Sequence, residues 1–229
     1  MASIKFGNFV VDARGKINGN VYSKNKGGAY ARVRVKPSNP RSSFQSAVRA
    51  ILTAFSQGWK ALTPTQIAGW NQAAINFPKS NRVGDRHIIN GNSLYVSLNK
   101  NLADVGVSPI TDAPSPESVE SMVVDSLVAD NSSQSLTLTF TGVVPANTAL
   151  KVFFSGTVSA GVNSIGTKLR QVLYLPPAAA AIQVVTVPYI ARFGAIGAVG
   201  SKIFYKVVPV NTLTGQAGAA ISGQTTIVA

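Results

Sequence analysis

The sequence predicts an α+β module of short strands plus three helices, followed by an all-β sandwich. Three observations predict it. Residues 29–35 alternate with a period of two, as a strand does. Residues 42–105 carry apolar positions at helical spacing behind recognisable caps. Residues 134–228 hold a series of short alternating segments separated by turn residues.

Composition limits the function classes. The 229 residues are 45% apolar, enough for a core in each of two domains. There is no cysteine, which excludes disulfides, thiolate metal sites and thiol catalysis. No apolar run reaches the roughly 18 residues a membrane span requires. The start, MASIKFGNFVVDARGK, lacks the basic-then-apolar order of a signal peptide, so synthesis in a cytoplasm is expected. The net charge of +13 is unevenly placed: +12 over residues 1–105, −5 over 106–130 and +6 over 131–229. The acidic stretch, rich in proline and serine, reads as a linker over 107–120. The expected domains are therefore a basic strand-and-helix docking module (1–106) and a β-sandwich (121–229).

In the first module, residues 4–12 and 20–23 read as strands, with Asn18-Gly19 and Lys26-Gly27-Gly28 as turns. Over 29–35, Tyr30, Arg32 and Arg34 share one strand face, and Ala31, Val33 and Val35 form the expected inward face. Arg32 and Arg34 stand roughly 7 Å apart, near the spacing of phosphates along one nucleic-acid strand. This face suits phosphates, an acidic protein surface, or plain solvent. Lys16, Lys24, Lys26, Lys36 and Arg41 extend the basic character, with Tyr22 and Tyr30 interleaved. Together Lys16, Lys24, Lys26, Tyr30, Arg32, Arg34, Lys36 and Arg41 are the candidate polyanion- or partner-docking residues.

Pro37 and Pro40 turn the chain. Ser42-x-x-Gln45 predicts a capping box for a helix whose stripe is Phe44, Val48, Ile51, Leu52, Phe55, Trp59 and Leu62. Thr63-Pro64-x-Gln66 starts a second helix with Ile67, Trp70, Ala74 and Phe77 on its stripe, ended by Pro78. The short connection predicts a helical hairpin. Trp59 and Trp70 are the expected core or interface anchors. Residues 79–90 read as a polar, basic loop. A third helix over 91–105, capped by Asn90 and stopped by Gly106, places Leu94, Tyr95, Leu98, Leu102 and Val105 on one face.

In the second half, Gln134–Phe140 alternates with Leu136, Leu138 and Phe140 inward. Further strands are expected at 150–154, 169–175, 182–187, 203–210 and 225–228. Ala178–Ala181 reads as a turn of helix or a loop. Tyr189, placed before a strand, is a candidate corner tyrosine. Pro209 predicts an edge strand or a bulge at that end. Gly194–Gly200 reads as a flexible apolar loop.

Catalytic signatures are absent. There is no phosphate-binding glycine motif, no nucleophile elbow and no zinc-protease helix. His87 is the one histidine, without partners for a metal site or a triad. Five of the eight acids lie in 106–130 and none follows. The reading is non-enzymatic, with no catalytic residue, metal, cofactor or small-molecule substrate expected.

The order of motifs resembles an uncharacterised family of phage and prophage proteins of Bacteroidetes. It is carried by Gly19, Tyr30, Arg32, Arg34, Pro37, Asn39-Pro40-Arg41, Gln45, Arg49, Trp59, Leu62-Thr63, Gln66, Trp70 and Asn92–Asn101. Ser43-Phe44 departs from the Thr-Pro-Ala commoner in that family. YIARFGA, GSKIFYKVV and VNTLTGQ are similar to the fibronectin- or immunoglobulin-like tails of related proteins. The resemblance implies a bacteriophage virion component, with other virion proteins as partners and oligomeric in the particle. DNA is the alternative partner, through the basic strand, and no membrane is expected.

Overall fold

The computed structural model describes residues 2–8, 10–81 and 83–229. Over these residues the chain is a mixed α+β protein with four α-helices and antiparallel sheets. It divides into two compact units, Met1–Ser97 with Ile110–Pro116, and Leu98–Pro109 with Glu117–Ala229.

The first unit opens with a four-stranded sheet of β1 (Ala2–Ile4), β2 (Gly15–Ile17), β3 (Asn20–Asn25) and β4 (Gly28–Val33), in the order β1-β4-β3-β2. Asn18 makes the β2–β3 turn at φ 48°, a left-handed conformation that asparagine tolerates. The β3–β4 turn is closed by Gly27 N–H donating to Asn25 Oδ1 at 2.9 Å, with Gly28 at φ 104°. Two expectations fail here. The strand expected over 4–12 is confined to Ile4 at its start, and Val10 and Val11 are exposed outside any strand. The inward face expected of 29–35 is also wrong: Val33 and Val35 are 66% and 67% exposed, with no layer of the described residues of this unit covering them. Phe9 and Arg82, which fall in segments read from the sequence, lie outside the described residues.

Helix α1 (Ser43–Ala61) starts where Ser42 Oγ accepts from Gln45 N–H at 3.4 Å. The predicted box is only half formed, since Gln45 Oε1 is buried without a partner. Helix α2 (Pro64–Ala73) has the full box: Gln66 N–H donates to Thr63 Oγ1 and Thr63 N–H donates to Gln66 Oε1. A 3₁₀ turn, Ala74–Asn76, extends it. The segment read as a basic loop instead holds a small hairpin of β5 (Lys79–Ser80) and β6 (Arg86–His87). Asn81 shapes its turn by accepting from the N–H groups of Val83 and Asp85 at 2.9 Å. Helix α3 (Gly91–Asp104) follows and belongs to both units by halves. Its predicted apolar residues Leu94, Tyr95, Leu98, Leu102 and Val105 are all buried. Gly106, at φ 74°, ends it, and Val107 N–H returns to Leu102 O at 3.0 Å, the closure expected of a left-handed helix terminus.

The second unit holds two antiparallel sheets. One has the order β10-β9-β12-β13, from β9 (Thr148–Phe154), β10 (Arg170–Leu175), β12 (Lys202–Asn211) and β13 (Ile221–Thr226). The other has the order β11-β8-β7, from β7 (Val124–Asp130), β8 (Ser135–Phe140) and β11 (Ile182–Val184). One apolar core joins them: Leu136, Leu138 and Phe140 of β8 share it with Leu150, Val152 and Phe154 of β9 and with Ile203 and Val207 of β12. The inward alternation read for 134–140 is therefore correct.

Residues 182–187 do not make one strand. After β11 the chain forms helix α4 (Thr186–Phe193), and Tyr189, expected before a strand, sits fully buried within it. Its ring meets Phe154 edge-on at 5.8 Å. The Ala178–Ala181 run is loop, with Ala178 at φ 59°. Pro209 leaves β12 internal, and of the two expected alternatives the bulge fits: the ladder to β13 ends at Val207↔Ile221 and pairing resumes one residue out of register at Val210↔Ala217. Gly194–Gly200 turns at Gly194 and Gly200 but buries Ile196 in the core.

This packing has two measurable consequences. The buried Tyr189 hydroxyl lacks a hydrogen bond of normal geometry, although Thr157 lies nearby, and burial raises its pKa. Removing an unsatisfied buried hydroxyl relieves a cost of about 1–3 kcal/mol. Tyr189→Phe is thus expected to match or exceed the wild type in denaturant unfolding, whereas Leu136→Ala should lose about 2–5 kcal/mol. The second concerns Asp130, which accepts from the Ser133 and Ser132 hydroxyls and their N–H groups across the β7–β8 turn. These bonds hold its carboxyl down from 3.8 to about 2. Its contribution to stability is full above the unfolded value and vanishes as pH falls through the folded one. A carboxyl-carbon NMR titration should place its midpoint at about 2.

Candidate functional site

The helical part of the first unit is assembled on Tyr95. Trp70, wholly buried, meets the Tyr95 ring edge-to-face at 5.2 Å and 89°, and Trp59 meets it at 5.6 Å and 57°. Trp70 Nε1–H donates to Thr111 O at 2.7 Å, which satisfies the indole's one donor. Close approach depends on glycine: a Cβ at Gly58 would stand 2.8 Å from the Tyr95 hydroxyl, and one at Gly91 would stand 2.8 Å from Asn71 N. Burial raises the Tyr95 pKa.

This anchoring serves only the C-terminal half of α1. Phe55 is buried, but Val48 and Leu52, earlier on the same stripe, are 48% and 43% exposed, and Phe44 is 60% exposed. The line Phe44–Val48–Leu52 follows the i, i+4, i+8 row of a helix surface. Arg49, beside this row, donates to Asn39 Oδ1 at 2.9 Å.

The sheet distributes the basic residues between its faces. Residues directly opposite in an antiparallel pair point to the same face. Lys16 pairs with Val21, and Val21 with Arg32, so Lys16 and Arg32 flank Val21 in one cross-strand row. Tyr30 shares that face, opposite Ser23. Lys24, with Tyr22, lies on the reverse face, where Ile17, Asn20 and Val33 form a row whose two apolar members are each 66% exposed. Arg34 lies just past β4, its N–H donating to Gly19 O at 2.7 Å. Lys36 and Arg41 are exposed in the connection to α1, with Arg41 at φ 50°. The structure thus brings Lys16, Tyr30 and Arg32 together and sends Lys24 to the other side.

Lys26, in the β3–β4 turn, donates to Asn90 Oδ1. It borders a cleft of about 520 Å³ lined also by Tyr30, Asn81, His87, Asn90 and Ser93. Asn81 Nδ2–H donates to Gly27 O at 2.7 Å, joining the two hairpins that wall the cleft. Asp85 is held below the usual carboxylate range by hydrogen bonds from Lys5 and Asn81. His87 Nδ1 is buried without a hydrogen-bond partner. The sequence offered no signal for this cleft, because its walls come from segments about 60 residues apart, as in the Lys26–Asn90 bond. Among the described residues, no group of three or more His, Asp or Glu side chains is placed to hold a metal ion. No described helix is long and apolar enough to cross a membrane.

Comparison with family models, with curated proteins and with solved structures gives no match for this chain.

The exposure difference along α1 is directly testable. Val48→Ser and Leu52→Ser should each change stability by no more than about 0.5 kcal/mol, as for surface positions. Phe55→Ala should cost about 3–5 kcal/mol, as for buried aromatic truncations. Urea denaturation of the three variants checks both.

Proposed function

We propose that this protein is a non-enzymatic structural component of a bacteriophage virion, associated with capsid, portal or tail, that acts by protein–protein assembly. The observation that carries the reading is the exposed apolar row of α1, continued in kind by Ile17 and Val33 on the sheet. Apolar rows of this sort are what an assembly interface buries. The first unit would be the docking module. Its edge strands β1 and β2 offer backbone groups to a neighbour, as edge strands do. The basic composition of the first 105 residues suits an acidic capsid surface or packaged DNA. The second unit would be an immunoglobulin- or fibronectin-like sandwich, presented outward or packed on the next subunit. Its two facing antiparallel sheets, each contributing alternate residues to one core, support that assignment.

Mass spectrometry of purified particles from the source phage tests the reading. A fixed copy number relative to the capsid protein is expected. Absence from clean particles would overturn it.

One arrangement favours a second reading, nucleic-acid binding: Lys16 and Arg32 stand either side of Val21 on a face that also carries Tyr30. Phosphate contacts with an aromatic platform are the elements of sequence-tolerant single-strand binding. This reading predicts affinity that falls steeply with salt. Lys16→Ala with Arg32→Ala should then flatten the log–log salt slope by roughly 0.7 for each phosphate no longer neutralised. The assembly reading predicts weak or no binding to generic DNA. A fluorescence anisotropy titration across salt concentrations separates the two.

A further inference from the structure

We propose that the second unit carries an intramolecular amide cross-link between the Lys151 side-chain nitrogen and the Asn101 side-chain carbon, formed autocatalytically with Asp104 as the proton carrier. The inference is independent of the virion reading. It rests on three side chains that meet between α3 and β9. Lys151, in the middle of β9, has a side chain only 8% exposed. Its Nζ donates to Asn101 Oδ1 at 2.8 Å and lies 3.4 Å from Asp104 Oδ2. The Asn101 amide is held at its other end, where Nδ2–H donates to Gly215 O at 2.9 Å. Gly215 is itself pressed against the helix: a Cβ there would stand 2.5 Å from Leu98 O. The nucleophile, the electrophile and a carboxylate are therefore fixed within contact of one another.

The surroundings weaken the hold of Lys151 on its proton. Asp104 already accepts from Lys100 Nζ at 2.6 and 2.7 Å, so one carboxylate serves two ammonium groups. Lys100 is 38% exposed and stays hydrated, whereas Lys151 is enclosed. Burial pushes the Lys151 pKa down, against the pull of Asp104, and the charges of Lys100 and Lys206 push it down further. A lysine held this way is the one that gives up its proton and becomes nucleophilic.

The step balances. Asp104 takes one proton from the Lys151 ammonium. The neutral Nζ, released from its hydrogen bond to Oδ1, attacks Asn101 Cγ from the face of the amide and forms the Nζ–Cγ bond. The Cγ–Nδ2 bond breaks as protons from Nζ pass to Nδ2, one of them carried by Asp104. Both protons shed by Nζ end on Nδ2, which leaves as ammonium, and Asp104 returns to its starting carboxylate. No oxidant, metal or added co-reactant enters. The product ties α3 to β9 across 50 positions of sequence. Holding reactants in one geometry is what makes such an amide exchange accessible without an activated acyl group.

Intact mass and a peptide map of the purified full chain test the proposal. The expected result is a mass one ammonia below that of the sequence, together with a branched tryptic peptide joining the segments that contain residues 101 and 151. Lys151→Met and Asn101→Ala should each restore the full mass, and Asp104→Asn should slow the loss. The wild-type map decides even if a variant fails to fold. A wild-type chain that keeps its full mass after prolonged incubation at neutral and mildly alkaline pH overturns the proposal. So does an ammonia loss that maps to Asn18-Gly19 or Asn90-Gly91, where an asparagine closes on its own backbone.

Discussion

The edge-to-face contact of Trp70 with Tyr95 organises the helical part of the first unit. Three helices and the Ile110–Pro116 segment meet there: α3 brings Tyr95, α2 brings Trp70, α1 brings Trp59, and Thr111 accepts the indole N–H. A buried aromatic set of this kind supplies large apolar area with a defined geometry. It is also local. It gathers the last turns of α1, beyond Phe55, and leaves the first turns outside. The sheet has no comparable anchor, and both of its faces carry exposed side chains. The first unit therefore leaves apolar rows exposed on α1 and on the sheet, away from its aromatic anchor. That exposure is the physical basis for reading it as a docking module.

The second unit shows the opposite economy. Its core runs continuously between two sheets, closed by Tyr189 of α4 and Ile196 of the glycine-bounded loop. The polar groups it buries are mostly satisfied, as where Ser155 Oγ accepts from Phe204 N–H and Asn211 Nδ2–H donates to Glu117 Oε2. The Lys151–Asn101–Asp104 set departs from this pattern. A lysine in the middle of a central strand is costly, and an ion pair there adds little stability over an apolar residue of the same size. Its placement is better understood through what the three groups can do to each other than through packing.

Much of this was legible in the sequence, for reasons that are local. The Thr63-Pro64-x-Gln66 start, the α3 stripe from Leu94 to Val105 and the β8 alternation each depend on residues within a turn or two of each other. What failed depends on distant partners. Val33 and Val35 alternate correctly for a half-buried strand, but burial requires a covering layer that the described residues of this unit do not supply. Strand β7 is hidden in the sequence because its Asp125 and Asp130 continue the acidic character of the linker. Helix α4 is hidden because Val187, Tyr189 and Ile190 favour strands, and tertiary burial of Tyr189 overrides that preference. Among the candidate site residues, spacing correctly set Tyr30 and Arg32 on one face. Only the register shows that Lys16 joins them and that Lys24 does not.

The central claim is that the exposed row of α1 is a buried interface in the assembled particle. Hydrogen exchange of Ser43–Ala61, measured for the chain alone and for the chain within intact particles, tests it most directly. The account predicts that amides of the first half of α1 exchange more slowly in the particle, while those around Phe55 and Trp59 change little. Equal exchange rates along the first half of α1 in both states would contradict it.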